Sequence, residues 1–460
     1  MRDNELDLGD IQGNILRAYA FPHARFVQLA LNDAAAGQRF FAQLLPLITT
    51  AEVWPDEKPN ATLNVAISAS GLRTLELPQA TLSSFPNEFM QGMAERALTL
   101  GDVEESSPEH WDEVWQKNVD ALVSIYGQTD NDCEAHMEQL GAIAEACGVS
   151  IIGSQRAGKL TVDGSLSSKE HFGFTDGIAQ PEFKHSHSRH TAGDGKLASH
   201  GAWTPLETGD FLIGYGNEAK EIEAYPEPLL LSKNGTFLVY RKLEQDVVSF
   251  RQYMSEQAEK YPGSEAKLRA KFVGRWEDGT PVALSPDKAD PTISGNPDLI
   301  NDFKYGDDPE GFKCPIGAHV RRANPRDALG FKDNLTDRRR IIRRGISYGD
   351  YLNADGSNAD EERGLIFIAL NANLSRQFEF VQQQWMNYGN DFHQGEQSDP
   401  VIGNHKSSRS YVIPGDTSKG EEPFICTEMK TFVRLCGGDY FFVPSLTGIR
   451  LMASNEVDAR

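Results

Sequence analysis

The residue best placed for chemistry in this sequence is Asp176, set in Gly173-Phe174-Thr175-Asp176-Gly177. Asp-Gly is a common turn pair, so a plain turn aspartate is the ordinary reading. Two features point further. Phe172, Phe174 and Ile178 make its surroundings apolar, and Gly173 and Gly177 let the backbone approach a ligand closely. A partly desolvated carboxylate in such a place has a raised pKa and can take up and return a proton. Far along the chain, His319 stands alone in Gly317-Ala318-His319-Val320-Arg321-Arg322-Ala323-Asn324-Pro325-Arg326, after a hydrophobic lead-in and before a run of charge. That context allows an imidazole at the mouth of a buried pocket, where the neutral ring is a good iron ligand. A histidine satisfied by core hydrogen bonds is the alternative. Arg338, Arg339, Arg340, Arg343 and Arg344 form a basic block in an acidic protein. A nucleic-acid patch would carry interleaved aromatics and a wider basic surface, which are missing. Binding of carboxylates and charge stabilisation inside a pocket remain, and a buried guanidinium suits both because it stays charged.

Other motifs read more weakly. Gly214-Tyr215-Gly216-Asn217-Glu218-Ala219 matches a dinucleotide fingerprint, but Pro226 and Pro228 stop the helix such a site needs. His185, His187 and His190 lie among serines on an expected loop and read as a solvated cluster rather than a metal site. Cys133 and His136 lie one turn apart with no second ligand pair, which favours core packing. The five cysteines, Cys133, Cys147, Cys314, Cys426 and Cys436, are scattered and odd in number, so free buried thiols are expected. Cys314 is conceivable as a thiolate ligand, but a core cysteine is the stronger reading.

The elements that must position these residues follow from hydrophobic periodicity. Strands are expected at 26–31, 63–68, 121–126 and from 150, with helices at 34–45 and 130–147. The second helix can be capped by Asp130 or Asn131 and is stopped by Gly148. Residues 185–204 read as a long loop or linker. Strands follow at 237–243, 364–370 and 440–444, with helices at 247–260 and 374–387. The last helix carries Phe378, Val381 and Trp385 on one stripe. Residues 281–340 are rich in Asp, Gly, Pro and Asn and read as a long, largely irregular insertion. The strand order predicts an α+β protein of two ferredoxin-like (split βαβ) domains, 8–200 and 205–455, with antiparallel sheets and long insertions.

Length and composition agree with a globular enzyme: 460 residues, 39% apolar and 24% charged. No stretch approaches the ~20 apolar residues of a membrane span. The net charge of −22 makes nucleic acid and anionic membranes poor partners. The acidic start, Met1 to Asp7, resembles no export signal, so a cytoplasmic location is expected. Oligomerisation is left open.

Nearly the whole chain resembles the dye-decolorizing (DyP-type) haem peroxidases, in the branch with longer insertions. Gly173-Phe174-Thr175-Asp176-Gly177 matches the family's GxxDG signature, and Asp10-Ile11-Gln12-Gly13-Asn14-Ile15-Leu16 is similar to its N-terminal segment. Arg376 to Trp385 and Asp399-Pro400-Val401-Ile402-Gly403 are also family-like. The resemblance implies non-covalent haem b in a pocket between the domains and within the C-terminal half; no Cys-x-x-Cys-His occurs for covalent attachment. It implies His319 as the iron ligand, Asp176 and Arg343 as the catalytic pair, and Gly173, Gly177, Arg326 and Asp399 as further cofactor-site residues. Arg344 is the alternative to Arg343. Asp399 would hold the other nitrogen of His319 and raise its basicity. The implied reaction uses hydrogen peroxide to oxidise small organic donors, such as dyes and phenols, in one-electron steps through a ferryl haem. Trp385, Tyr348 and Tyr351 are candidates to relay electrons from bulky donors, with structural packing as the alternative for each. A haem storage, delivery or sensing protein is the competing function.

Overall fold

The computed structural model describes residues 6–54, 57–186, 190–198, 201–223, 225–329, 334–405 and 410–457. Its frame is one antiparallel sheet of nine strands. The first half supplies β1 (His23–Leu31), α1 (Ala34–Leu44), β2 (Ala61–Ser68), β3 (Ala121–Gly127), α2 (Asp130–Cys147) and β4 (Val149–Gly158). The second supplies β5 (Thr236–Gln245), α3 (Val247–Ala258), α4 (Glu265–Val273), α5 (His319–Ala323), β6 (Ile342–Arg343), β7 (Ile346–Tyr348), β8 (Gly364–Asn371), β9 (Val433–Val443) and α6 (Leu446–Ser454). Strands run β6–β8–β5–β9–β2–β3–β1–β4 across the sheet, with β7 also pairing β8. Within each half the order is that of a ferredoxin-like unit, as the periodicity predicts.

The two halves share one sheet because β9 pairs with β2, but only over Phe441↔Ser68 and Phe442↔Ile67. Gln12 closes the seam where the two strands part. Its side chain accepts from Val65 N (2.9 Å) and donates to Val65 O (2.8 Å) and Pro444 O (2.9 Å). One buried amide thereby satisfies backbone groups of both halves that no strand reaches.

One face of the sheet is covered by α1, α2 and α6, which bury Phe40, Phe41, Leu44, Leu140 and Ile449 against Leu29, Val65 and Val123. In the second half, alternation along β8 sends Ile366 and Ile368 to the opposite core and leaves Leu365 and Phe367 facing a cavity. A third cluster, around Phe250, Tyr253, Phe272 and Phe432, holds α3 and α4 beside that cavity.

Three local expectations change. Thr129, not Asp130 or Asn131, caps α2: its side chain accepts from Asp132 N (3.2 Å), and Asp132 answers on Thr129 N (2.9 Å). This reciprocal box satisfies two exposed N–H groups at once, which a lone acid one residue later would not. The last strand begins at Val433, because a bulge after Leu435 interrupts its alternation. There Gly437 (φ +144°) leaves room for Trp115, whose Cδ1 lies 2.0 Å from where a Cβ would sit. The helix expected at 374–387 is two widened π-type segments, Ser375–Glu379 and Val381–Met386. Its stripe of Phe378, Val381 and Trp385 is buried as the sequence implies. Such widened turns cluster at functional sites, and here both segments wall the cavity.

Candidate active site

His319 opens the short helix α5, with its ring on the cavity wall and its side chain 30% exposed. Nδ1 lies 3.0 Å from Oδ2 of Asp399, which is completely buried. Asp399 is held in turn: Oδ1 accepts from Val401 N and Ile402 N, both at 2.9 Å. Burial alone would push the imidazole down and the carboxyl up. The opposite charge and the hydrogen bonds together outweigh that, so His319 lies above its ordinary pKa and Asp399 below its own. The carboxylate fixes the tautomer, with Nδ1 donating, so that Nε2 is left as the acceptor toward the cavity. No protein hydrogen bond to Nε2 occurs among the described residues.

Asp176 and Arg343 meet across the same cavity. Arg343 sits on the short edge strand β6; its Nη1 lies 3.9 Å from Asp176 Oδ1, and its Nη2 donates to Ile178 O (2.6 Å). Asp176 Oδ1 also accepts from Gly177 N (2.6 Å), which leaves Oδ2 without a partner among the described residues. The desolvation expected around Asp176 is absent: its side chain is 43% exposed, although Phe172 and Phe174, which pack into the cluster with Phe250, line the same cavity. The loop is instead shaped by Glu170, which the sequence reading missed. Its carboxylate accepts from Phe172 N (2.8 Å), Phe174 N (2.9 Å) and Gln245 Nε2 (2.7 Å), and burial pushes its pKa up. Only its position three residues before Gly173 could have signalled it.

The cavity between His319 and this pair measures about 340 Å³, within the range of ligand pockets. Leu243, Val273, Leu365, Phe367 and Ile402 make much of its wall apolar, and Gly177 lines it. Gly173 (φ +97°) is buried facing Arg269 and does not line it. Asp399 reaches it only through His319. Arg326 lines it, but its guanidinium donates to Asn301 O (3.1 Å), Asn301 Oδ1 (2.5 Å) and Phe303 O (2.8 Å), leaving Nε without a partner among the described residues.

Most of the arginine block faces inward; Arg338 instead pairs with Glu221 (3.4 Å). Arg339, Arg340 and Arg343 line the cavity, while Arg344 donates to Asn14 O, Ile15 O and Arg343 O. Arg275, which no motif indicated, joins them from after α4 and is buried on Gly279 O and Ile300 O. Cys314 lies off the cavity, its thiol pushed up to about 11 by burial. Of the histidine cluster, His190 pairs with Glu182 (2.7 Å), and His187 lies outside the described residues. Trp385 is buried with its indole N–H on Asp391, and Tyr348 is buried too.

Family models match both halves: the DyP dimeric alpha+beta barrel domain over residues 10–156 and the Dyp-type peroxidase C-terminal domain over 217–395. The chain is 30% identical to the dye-decolorizing peroxidase of Mycena epipterygia, over 98% of this chain and 88% of that one. It belongs to the DyP-type peroxidase family. Among solved structures, an ancestral D-type dye-decolorizing peroxidase matches with a TM-score of 0.84 at 28% identity, over 97% of this chain and 99% of that one. A dye-decolorizing peroxidase in complex with 2,6-dimethoxyphenol matches with a TM-score of 0.82 at 25% identity, over 97% and 100%. This DyP-type peroxidase is therefore an oxidoreductase that takes peroxide as its acceptor, in a family that depends on haem. No helix among its described residues is long and apolar enough to cross a membrane.

Proposed function

We propose that this peroxidase holds haem b non-covalently in the 340 Å³ cavity, with His319 as the iron ligand and Asp176 and Arg343 as the pair that acts on peroxide. The observation that carries this reading is the placement of a buried Asp399–His319 couple on one side of an apolar cavity and an Asp176–Arg343 pair on another. The donor set fits the cofactor. An imidazole whose Nδ1 is bound to a carboxylate offers a basic Nε2 to iron. Apolar walls suit a porphyrin, and the positive charge of Arg275, Arg339 and Arg340 on the cavity lining suits its carboxylates. When bound, the haem iron supplies the two-electron reduction of peroxide and the one-electron oxidation of donors.

The chain's own residues do the rest. Asp176 Oδ2 takes the proton from the inner peroxide oxygen and returns it to the outer one, so that water leaves. Arg343 is anchored through Nη2 and keeps Nη1 toward the peroxide site, where a fixed positive charge stabilises negative charge as it develops. Leu365 and Phe367 keep the site dry from the sheet side. Phenols are the proposed donor class, as in the neighbour solved with 2,6-dimethoxyphenol. The five cysteines, buried and unbridged, support a reducing, cytoplasmic location.

The test is haemin-reconstituted protein mixed with one equivalent of peroxide, wild type beside His319→Ala and Asp176→Asn, followed by stopped-flow absorbance. A Soret band that needs His319, with a peroxide reaction that slows without Asp176, is expected. A Soret band unaffected by His319→Ala would remove the ligand assignment, and haem binding without a peroxide reaction would favour a haem carrier.

A further inference from the structure

A second chamber of about 300 Å³ opens on the far side of Asp176 and Arg343. It shares Glu170, Asp176, Gly177, Gln180, Arg343 and Gly345 with the haem cavity, so the two meet at the catalytic pair. Tyr19, Phe21 and Tyr126 give it an aromatic floor. Those rings are fixed: Tyr19 donates to Asn64 (2.9 Å) and stacks on Trp54 at 5.8 Å, and Tyr126 meets Tyr19 edge-on at 5.9 Å.

The charge of this chamber is opposite to that of the protein. In a chain of net charge −22, the lining holds five cations, Arg17, Lys159, Lys169, Arg343 and Arg344, against two acids, Glu170 and Asp176. Both acids have partners: Glu170 accepts from three donors, and Asp176 faces Arg343, one of the five cations. Lys169 pairs loosely with Glu277 at 3.5 Å. Among the described residues, no carboxylate lies within 4.0 Å of Arg17, Lys159 or Arg344. Arg17 and Arg344 donate only to main-chain carbonyls. Lys58 adds a further cation behind the floor, 3.8 Å above the Phe21 ring. Burial lowers its pKa, with a smaller contribution from Lys159. Arg17 also lies over the Trp54 ring at 5.1 Å. Positive charge that no carboxylate neutralises, beside rigid aromatic rings, is complementary to a flat ring that carries an anion.

We infer that this chamber seats the electron donor, and that it selects aromatic carboxylates or sulfonates of one or two rings. The inference rests on the peroxidase reading and adds the substrate class. Arg17 and Lys159 hold the anionic group, the Tyr19–Tyr126 floor carries the ring, and the oxidisable hydroxyl points to the Asp176–Arg343 wall. Each donor loses one electron to the oxidised enzyme and its hydroxyl proton to the same site. Two donors are consumed per peroxide, H2O2 + 2 ArOH → 2 H2O + 2 ArO•. Arg17 and Lys159 are specificity residues and take no part in peroxide cleavage.

Two readouts on the haem-loaded protein test this. Calorimetry compares benzoate with its neutral isostere benzamide. Turnover compares syringate with 2,6-dimethoxyphenol, which share a phenol and differ by one carboxylate. In Arg17→Gln/Lys159→Gln, benzoate affinity and the syringate preference should each fall about fivefold, the worth of two partly exposed charge contacts. Lys159→Arg should restore part of the preference. In the wild type, about 0.5 M salt should erase much of it, because exposed charges are then screened. A preference unchanged by the double substitution and by salt would overturn the proposal. Turnover of neither donor, with benzoate still held through Arg17 and Lys159, would tell against the peroxidase reading while supporting the anion chamber.

Discussion

Asp399→Asn isolates the contribution of the carboxylate behind the proposed iron ligand, His319. The side chain is completely buried and keeps its shape in the variant, so the amide oxygen still accepts from the Val401 and Ile402 N–H groups. What disappears is the negative charge 3.0 Å from His319 Nδ1. A charge-assisted hydrogen bond in this setting is worth about 1.5–3 kcal/mol net. That agrees with the roughly 10–100-fold loss of metal affinity seen when the partner of a ligating histidine is removed. We expect haemin affinity at neutral pH, read from Soret titration, to fall within that range, and the reduction potential of the bound iron to rise as its imidazole becomes less basic. The pH dependence gives a second check. In the metal-free protein Asp399 holds the His319 pKa above its ordinary value, so a proton competes for Nε2 as pH falls through that raised value. The variant loses this elevation. Its haemin uptake should therefore be weaker at neutral pH yet persist to lower pH than that of the wild type. Retained cooperative unfolding would exclude a folding defect. Unchanged affinity, potential and pH profile would refute the claim that Asp399 tunes this imidazole.

Asp176→Asn and Arg343→Leu should each slow the peroxide reaction by about 10²–10³-fold without loss of the Soret band, and an unchanged rate in the double variant would remove the mechanism. Asp210 is completely buried and desolvation raises its pKa to about 6, so the fold holds a proton there that the unfolded chain releases near pH 4. Its stabilising share is present below that pH and is lost as pH rises to about 6, roughly 3 kcal/mol in all; Asp210→Asn should flatten that part of the denaturation profile. Gly437→Ala would force a Cβ against Trp115 at a φ of +144° and should cost about 3 kcal/mol by urea unfolding; a neutral result would mean that the bulge relaxes freely.

The strands, the α1 and α2 helices and the ferredoxin-like order within each half are legible from periodicity, because a side chain's face depends only on its position along one element. The GxxDG segment, His319 and the arginine block stand out for a related reason: unusual residue types at close spacing are local facts. Which arginine faces the acid is not local. Arg343 and Arg344 are neighbours, and only the strand direction of β6 turns one toward Asp176 and the other toward Asn14 and Ile15. Phe172 and Phe174 look like an apolar shell for Asp176, yet they are buried in the cluster around α3 while the carboxylate at the same cavity stays open. Glu170, Arg275 and the basic chamber have no motif at all. The chamber combines Arg17, Lys159 and Arg344, residues from three distant parts of the chain. Its charge is a sum over positions in space, and a sequence of net charge −22 conceals it until the chain is folded.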